Sequence, residues 1–227
     1  MKPPIVIAID GTSASGKSTS SKLVAKALHW VHVDTGAMYR ALAWYCLRHR
    51  IDPRDAKAVA AACRRWKTAL RCVDGQAQLA VEGHYPAREI RTPEVSAAVP
   101  HVAAVPAVRR WMKHKQRECV KFGSLVMEGR DIGSNVFPET DFKYYLDASL
   151  EERSRRRAAD GIRENLAARD RRDSQRAVAP LMVPLGAVVI DNSRMTAEET
   201  SASIIADVKR KLAQSRTTEL RGRGPDR

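Results

Sequence analysis

Short apolar runs and helix-spaced apolar positions alternate along most of this chain. Ile5 to Ile9 is unbroken and rich in β-branched residues, so residues 4–10 read as a strand buried on both faces. Residues 16–28 have the length and pattern of a crossover helix, and residues 31–34 read as a second short strand. Met38, Leu42, Tyr45 and Cys46 repeat at helical intervals within 36–50, and the Ala-rich stretch 53–67 reads as another helix. The pattern then switches to strand-like alternation over 70–82, with Asp74-Gly75 as a hairpin signal and a third short strand over 85–90. Residues 92–120 return to helix, interrupted at Pro100 and Pro106. Strands are predicted at 124–128, 142–147 and 187–191. Ser149 caps a charged helix that Gly161 breaks, a second helix runs on to about Asp173, and Thr196 caps a last helix to about Leu212. The polar tail, 215–227, is expected to be disordered.

Five apolar strands separated by helices predict a three-layer α/β/α fold around a five-stranded parallel sheet, with a small antiparallel sheet inserted. In such sheets ligands collect beyond the carboxyl ends of the strands. The segments to read are therefore Gly11 to Ser18, Asp34-Thr35-Gly36, Glu128-Gly129-Arg130-Asp131, Asp147-Ala148-Ser149 and Asp191-Asn192-Ser193.

The first of these carries the clearest chemistry. Gly11-Thr12-Ser13-Ala14-Ser15-Gly16-Lys17-Ser18 fits the phosphate-loop pattern G-x-x-x-x-G-K-[ST] between a strand and a helix. Its glycines let several amide N–H groups converge on one anion, and the helix beginning there adds its positive end. Lys17 sets a cation against the outer phosphates, and Ser18 offers a hydroxyl to magnesium.

Charge sharpens this picture. The 227 residues carry 40 Lys and Arg against 26 Asp and Glu, a net charge of +14, which attracts polyanions. Arginine predominates, and nine arginines fall between Glu151 and Arg176. The run Arg153 to Arg157 reads as a solvated helix face. The alternating Arg169-Asp170-Arg171-Arg172-Asp173 reads as a segment ordered around a ligand. The four cysteines show no metal spacing and are expected to be reduced and mostly buried. No run approaches the roughly 18 apolar residues of a membrane span. The apolar run ending at Asp10 is too short for a secretion signal, so a cytoplasmic chain is expected. Aromatic residues make up 5% of the chain and offer no stacking platform for single-stranded nucleic acid, and the N-K-x-D guanine reader of GTPases is absent.

In chain order, IAIDGTSASGKST, VDTGAMYRALA, EIRTPEVS, MEGRDIGSNVFP, KYYLDASLEERSRRR and RDRRDSQRAVAPL resemble segments of the bacterial cytidylate kinase family, over residues 5 to about 212. The resemblance implies one phosphate-loop kinase domain over residues 1–214, with a monophosphate-binding insertion at about 36–120 and a helical lid at about 153–176. It implies transfer of the γ-phosphoryl group of ATP to CMP or dCMP with magnesium; a monomer is expected, and the composition points to no specific nucleic acid and no membrane as partner. The acceptor is itself an anionic phosphate at neutral pH, so the reaction needs cations rather than a general base. No H-R-D catalytic loop is present.

By that resemblance Gly11 through Thr19, with Lys17, hold the ATP phosphates, and Arg157 joins them from the lid. Ser18 and Glu128 serve the metal. Arg40, Arg130 and Arg169 bind the CMP phosphate. Arg172 is assigned to the charge that develops in transit, with Arg157 as the second candidate, and Lys17, Arg130, Arg169 and Arg172 are counted as the catalytic cations. Asp131 accepts from the cytosine amine, Thr35, Arg109 and Arg176 donate to the base, and Asp173 binds the ribose. A carboxylate at Asp131 would favour cytosine's donor and repel uracil's carbonyl. Two departures stand out: Pro100 replaces a serine that some relatives carry near the ribose, and the lid is shorter than in some relatives.

Overall fold

Alternate residues of the first strand, β1 (Val6–Gly11), face two different cores. Val6 and Ala8 pack into one, and Ile7 and Ile9 into the other. This double burial is why its sequence reads as an unbroken apolar run. In the computed structural model residues 3–159 and 165–222 are described. The sheet order is β3-β4-β2-β5-β1-β6-β7. Its strands are β2 (Val31–Asp34), β3 (Thr68–Val73), β4 (Gln76–Val81), β5 (Leu125–Glu128), β6 (Phe142–Asp147) and β7 (Val188–Asp191). Every neighbouring pair is parallel except β3 with β4.

The helices cover both faces. Helices α1 (Lys17–Leu28) and α8 (Ala197–Gly222) pack together, and Val24, Ala25, Ile204 and Val208 bury against Ile7, Ile9, Val126 and Leu146. On the other face lie α2 (Thr35–Arg48), α3 (Ala56–Arg65), α4 (Pro93–Ala104) and α5 (Pro106–Glu118). Their Met38, Leu42, Val59, Val102 and Met112 pack against Val33, Leu125 and Met127. The two remaining helices, α6 (Leu150–Ala159) and α7 (Leu166–Ser174), sit over the carboxyl ends of the strands and touch each other.

The three layers agree with the sequence reading, but the sheet has seven strands, not five. The hairpin turns at Asp74-Gly75 as expected, with positive φ at both residues (48° and 70°). It does not form a separate sheet. β4 runs parallel to β2, pairing His32 with Gln76 and Val33 with Ala77, and Leu79, Ala80 and Val81 are buried. The strand expected at 85–90 is reduced to one bridge, Val81 with His84, followed by a 3-10 turn at Glu89–Arg91. Pro86 has no N–H to offer a ladder.

Pro106 opens α5, where its missing N–H costs nothing, but Pro100 lies inside α4 without ending it. The expected break at Gly161 lies outside the described residues. α8 runs through residues 215–222, which the sequence reading assigns to a disordered tail; residues 223–227 lie outside the described residues. Cys46, Cys63 and Cys119 are buried thiols and Cys72 is an exposed one.

Candidate active site

The phosphate loop is the sharpest local constraint in the fold. At Gly11 φ is +151°, and a Cβ there would stand 2.0 Å from the Leu146 carbonyl oxygen on β6. Only glycine allows that approach. Gly16 (φ +83°) then turns the chain into α1, whose first residue is Lys17. Lys17 is buried and folds back over the loop, its Nζ donating to the Thr12 carbonyl at 2.5 Å and to Ser15 Oγ at 3.3 Å.

Neighbouring elements hold the loop from outside. Asn192, after β7, donates from Nδ2 to the Ser15 carbonyl at 2.8 Å, and Thr12 donates to Asp147 Oδ1 at 3.1 Å. From α7, Asp170 accepts from the Ser13 N–H at 3.0 Å, while Arg153 of α6 donates to the Ser13 carbonyl at 3.1 Å. Arg153 and Asp170 are also ion-paired with each other. Both helices of the expected lid thus grip the backbone of Ser13. Arg153 is therefore buried rather than part of a solvated face; Arg155 keeps that role, exposed and paired with Glu152. Asn192 and Asp147 stand in strand-end segments that the sequence singled out, without a role attached. Asp170 lies in the alternating segment 169–173 that the sequence marks as ordered around a ligand, without a role attached, whereas Arg153 lies in a run that reads as a solvated face.

Ser18 and Glu128 meet, with Ser18 Oγ donating to Glu128 Oε2 at 2.8 Å. Thr35 Oγ1 donates to the Glu128 carbonyl at 2.6 Å. Glu128 is buried, and its Oε1 has no hydrogen-bond partner. His32 Nε2 lies 3.6 Å from that oxygen and 3.0 Å from Ser21 Oγ. The Ser18 hydroxyl and the Glu128 carboxylate, one of whose oxygens is unpartnered, are donors of the kind a hard cation takes.

Across the cleft, Asp131 accepts from Arg109 Nη2 at 2.7 Å and from Asn135 Nδ2 at 2.8 Å. Both bonds fall on Oδ2, which leaves Oδ1 for a ligand. Arg109 is 3% exposed and lies over the ring of Tyr39. Asp173 is held between Arg130, at 3.1 Å, and Arg176. Arg40 donates to Ser96 Oγ at 2.8 Å and to the Ile90 carbonyl at 3.3 Å.

These groups line one cavity of about 620 Å³. Of the residues singled out in the sequence, Ser13, Ala14, Gly16, Lys17, Ser18, Thr19, Thr35 and Arg40 reach it from one side. Arg109, Glu128, Arg130, Asp131, Arg157, Arg169, Asp173 and Arg176 complete it. Gly11, Thr12 and Ser15 form the frame behind the loop. Arg172 is the exception. It is exposed on α7 and is not among the residues facing the cavity, one residue's step of about 100° around the helix from the buried Asp173. Tyr39, Arg91, Val99 and Ala103 line the cavity without having been singled out. Each sits on a helix or turn, where it resembles ordinary core or surface.

The cavity is electrostatically unbalanced. Burial, then Arg130, pushes Lys17 well below the usual lysine range. Burial, with Arg169 and Arg91, pushes Arg40 down to about 10. Cations held this close destabilise one another until an anion enters. Inorganic tripolyphosphate should therefore raise Tm, by about 5–10 °C once its concentration is about a hundredfold above the Kd it shows, and 0.5 M salt should remove most of the gain. An unchanged Tm in thermal denaturation would mean that these cations are already balanced within the protein.

A family model described as cytidylate kinase matches residues 7–210. A cytidylate kinase of Limosilactobacillus reuteri is 39% identical over 216 residues, covering 90% of this chain and 95% of the relative. One of Geobacillus thermodenitrificans is 41% identical over 224 residues, 93% of this chain and 100% of the relative. One of Desulforamulus reducens is 42% identical over 216 residues, 90% of this chain and 96% of the relative.

Proposed function

This chain belongs to the cytidylate kinase family, and from that membership we propose that it transfers the γ-phosphoryl group of ATP to CMP or dCMP, giving ADP and CDP or dCDP. The observation that carries the reading is one cavity bounded by Lys17 on one side and by Asp131 with its arginines on the other. Such a cleft takes two anionic nucleotides face to face.

The loop amides and Lys17 hold the ATP phosphates, with Arg157 approaching from the lid. Arg40, Arg130 and Arg169 hold the CMP phosphate, whose own oxygen is the nucleophile. Positioning and charge cover therefore supply the catalysis. Arg157, the second candidate for the transition-state cation, lines the cavity with Arg130 and Arg169, and these three cover the charge in transit; Arg172 does not line it. Ser18 and Glu128 would hold magnesium, which when bound neutralises the charge between the outer phosphates. Asp131 Oδ1 accepts from the cytosine amine, Thr35, Arg109 and Arg176 donate to the rest of the base, and Asp173 meets the ribose. Val99 and Ala103 give the base an apolar wall. No helix among the described residues is long and apolar enough to cross a membrane. The enzyme works on small molecules, as a monomer in the cytoplasm.

A coupled ADP-release assay with ATP and a panel of monophosphates tests this. CMP or dCMP should exceed UMP and AMP in kcat/KM by about tenfold or more, as one well-made polar contact allows. A tenfold preference for UMP or AMP would overturn the reading of Asp131.

A further inference from the structure

Asp10, the next-to-last residue of β1, is a fully buried carboxylate immediately before Gly11. Its two oxygens are used in parallel: Oδ1 accepts from the Ile132 N–H at 2.8 Å and Oδ2 from the Gly133 N–H at 2.7 Å. Both donors open the short π-helical turn Ile132–Val136, for which Asp131 is the capping residue. Asp131 has φ −148° and ψ 27°, between the strand and helix basins, so its backbone is held by its surroundings. The same strap is tightly packed, since a Cβ on Gly129 would stand 2.6 Å from Ile132 Cδ1.

Burying a carboxylate costs several kcal/mol unless its acceptors are filled. Burial, reinforced by Asp131, pushes Asp10 up to about 7, while the two amides and Lys17 oppose the rise. An amide side chain could satisfy one of the two donors and would turn its own NH2 on the other.

We propose that Asp10 is a positioning residue for monophosphate selection: its paired bonds set the 129–133 strap so that Arg130 and Asp131 face the cleft in register with the phosphate loop. This rests on the reading of Asp131 and Arg130 as monophosphate contacts. It goes beyond that reading by placing their control on a residue that lies outside the cavity lining and is joined by one peptide bond to Gly11. The arrangement ties the two nucleotide sites together at their base.

The test is steady-state kinetics of Asp10→Asn, with Asp10→Ser as the smaller alternative that retains one acceptor. KM for the monophosphate that the wild type prefers should rise about tenfold, and its preference over competing monophosphates should fall about tenfold, as misplacement by a fraction of an ångström does. KM for ATP should stay within about twofold. In an Asp131→Asn background the same substitution should leave selectivity unchanged, because Asp10 acts through that residue. Unchanged selectivity and KM in a folded variant overturn the inference, and so does the failure of both variants to fold, which would make Asp10 purely structural. Failure of the functional reading shows elsewhere, in a wild type that does not prefer CMP.

Discussion

Lys17→Met is expected to lower kcat by about 10³-fold or more while leaving the ligand-free protein as stable as the wild type, or more so. The first half follows from position. Lys17 is the cation at the root of the phosphate loop, and transfer of a charged group depends on such fixed positive charge. The second half follows from its protonation. A lysine whose folded pKa lies below its unfolded value binds fewer protons folded than unfolded. Stability then rises with pH through the window between the two values, and below that window the charged amine costs stability. Burial and Arg130 place Lys17 in this situation. Methionine keeps the aliphatic stem and removes the charge. The loss of the bonds to Thr12 and Ser15 offsets part of the gain. Turnover and Tm measured on the same preparation check both halves, and near-normal turnover would remove Lys17 from the mechanism.

Asp131→Asn should lower kcat/KM for CMP by about 10- to 100-fold and that for UMP much less, so that selectivity collapses. Asparagine can turn its NH2 toward uracil's carbonyl, which the carboxylate repels. Asp131→Ala should show the same change in selectivity with an added stability cost of about 3 kcal/mol, because asparagine keeps an oxygen that accepts from Arg109 and alanine leaves that buried guanidinium with neither counter-ion nor acceptor. Comparing the two separates base reading from the support of Arg109: selectivity should fall with loss of the carboxylate in both, and Tm should fall mainly in the alanine variant. Equal losses of CMP and UMP activity would contradict the donor–acceptor argument.

These expectations lean on residues that were legible to different degrees. Residues 11–18 were readable because local spacing fixes their conformation: Gly11 and Gly16 adopt the backbone angles that the pattern requires. The inner parallel strands β1 and β5 were readable because burial on both faces leaves continuous apolar runs, whereas β7, a largely exposed edge strand, was readable from its β-branched Val188-Val189-Ile190. The pairing of β4 with β2 was not, because alternation over 70–82 records a half-buried strand and not its neighbour. Arg172, which does not line the cavity, illustrates a related limit. In an arginine-rich run every guanidinium suits a phosphate chemically, and only the phase of α7 decides which faces inward. Asp10 was passed over because a carboxylate before a glycine looks like the end of a strand. Its bonds reach 122 and 123 residues away, beyond any local pattern.

The hairpin at Asp74-Gly75 completes the sheet, and this limits how the protein could be shortened. Excising β3 and β4 would not remove a detachable appendage. It would strip β2 of a hydrogen-bonded neighbour, uncover core that Leu79 and Val81 now seal, and bare a parallel strand edge to other chains. Thr35 begins immediately beyond β2, so a truncated variant would loosen the floor of the cleft at the same stroke as it became prone to aggregate.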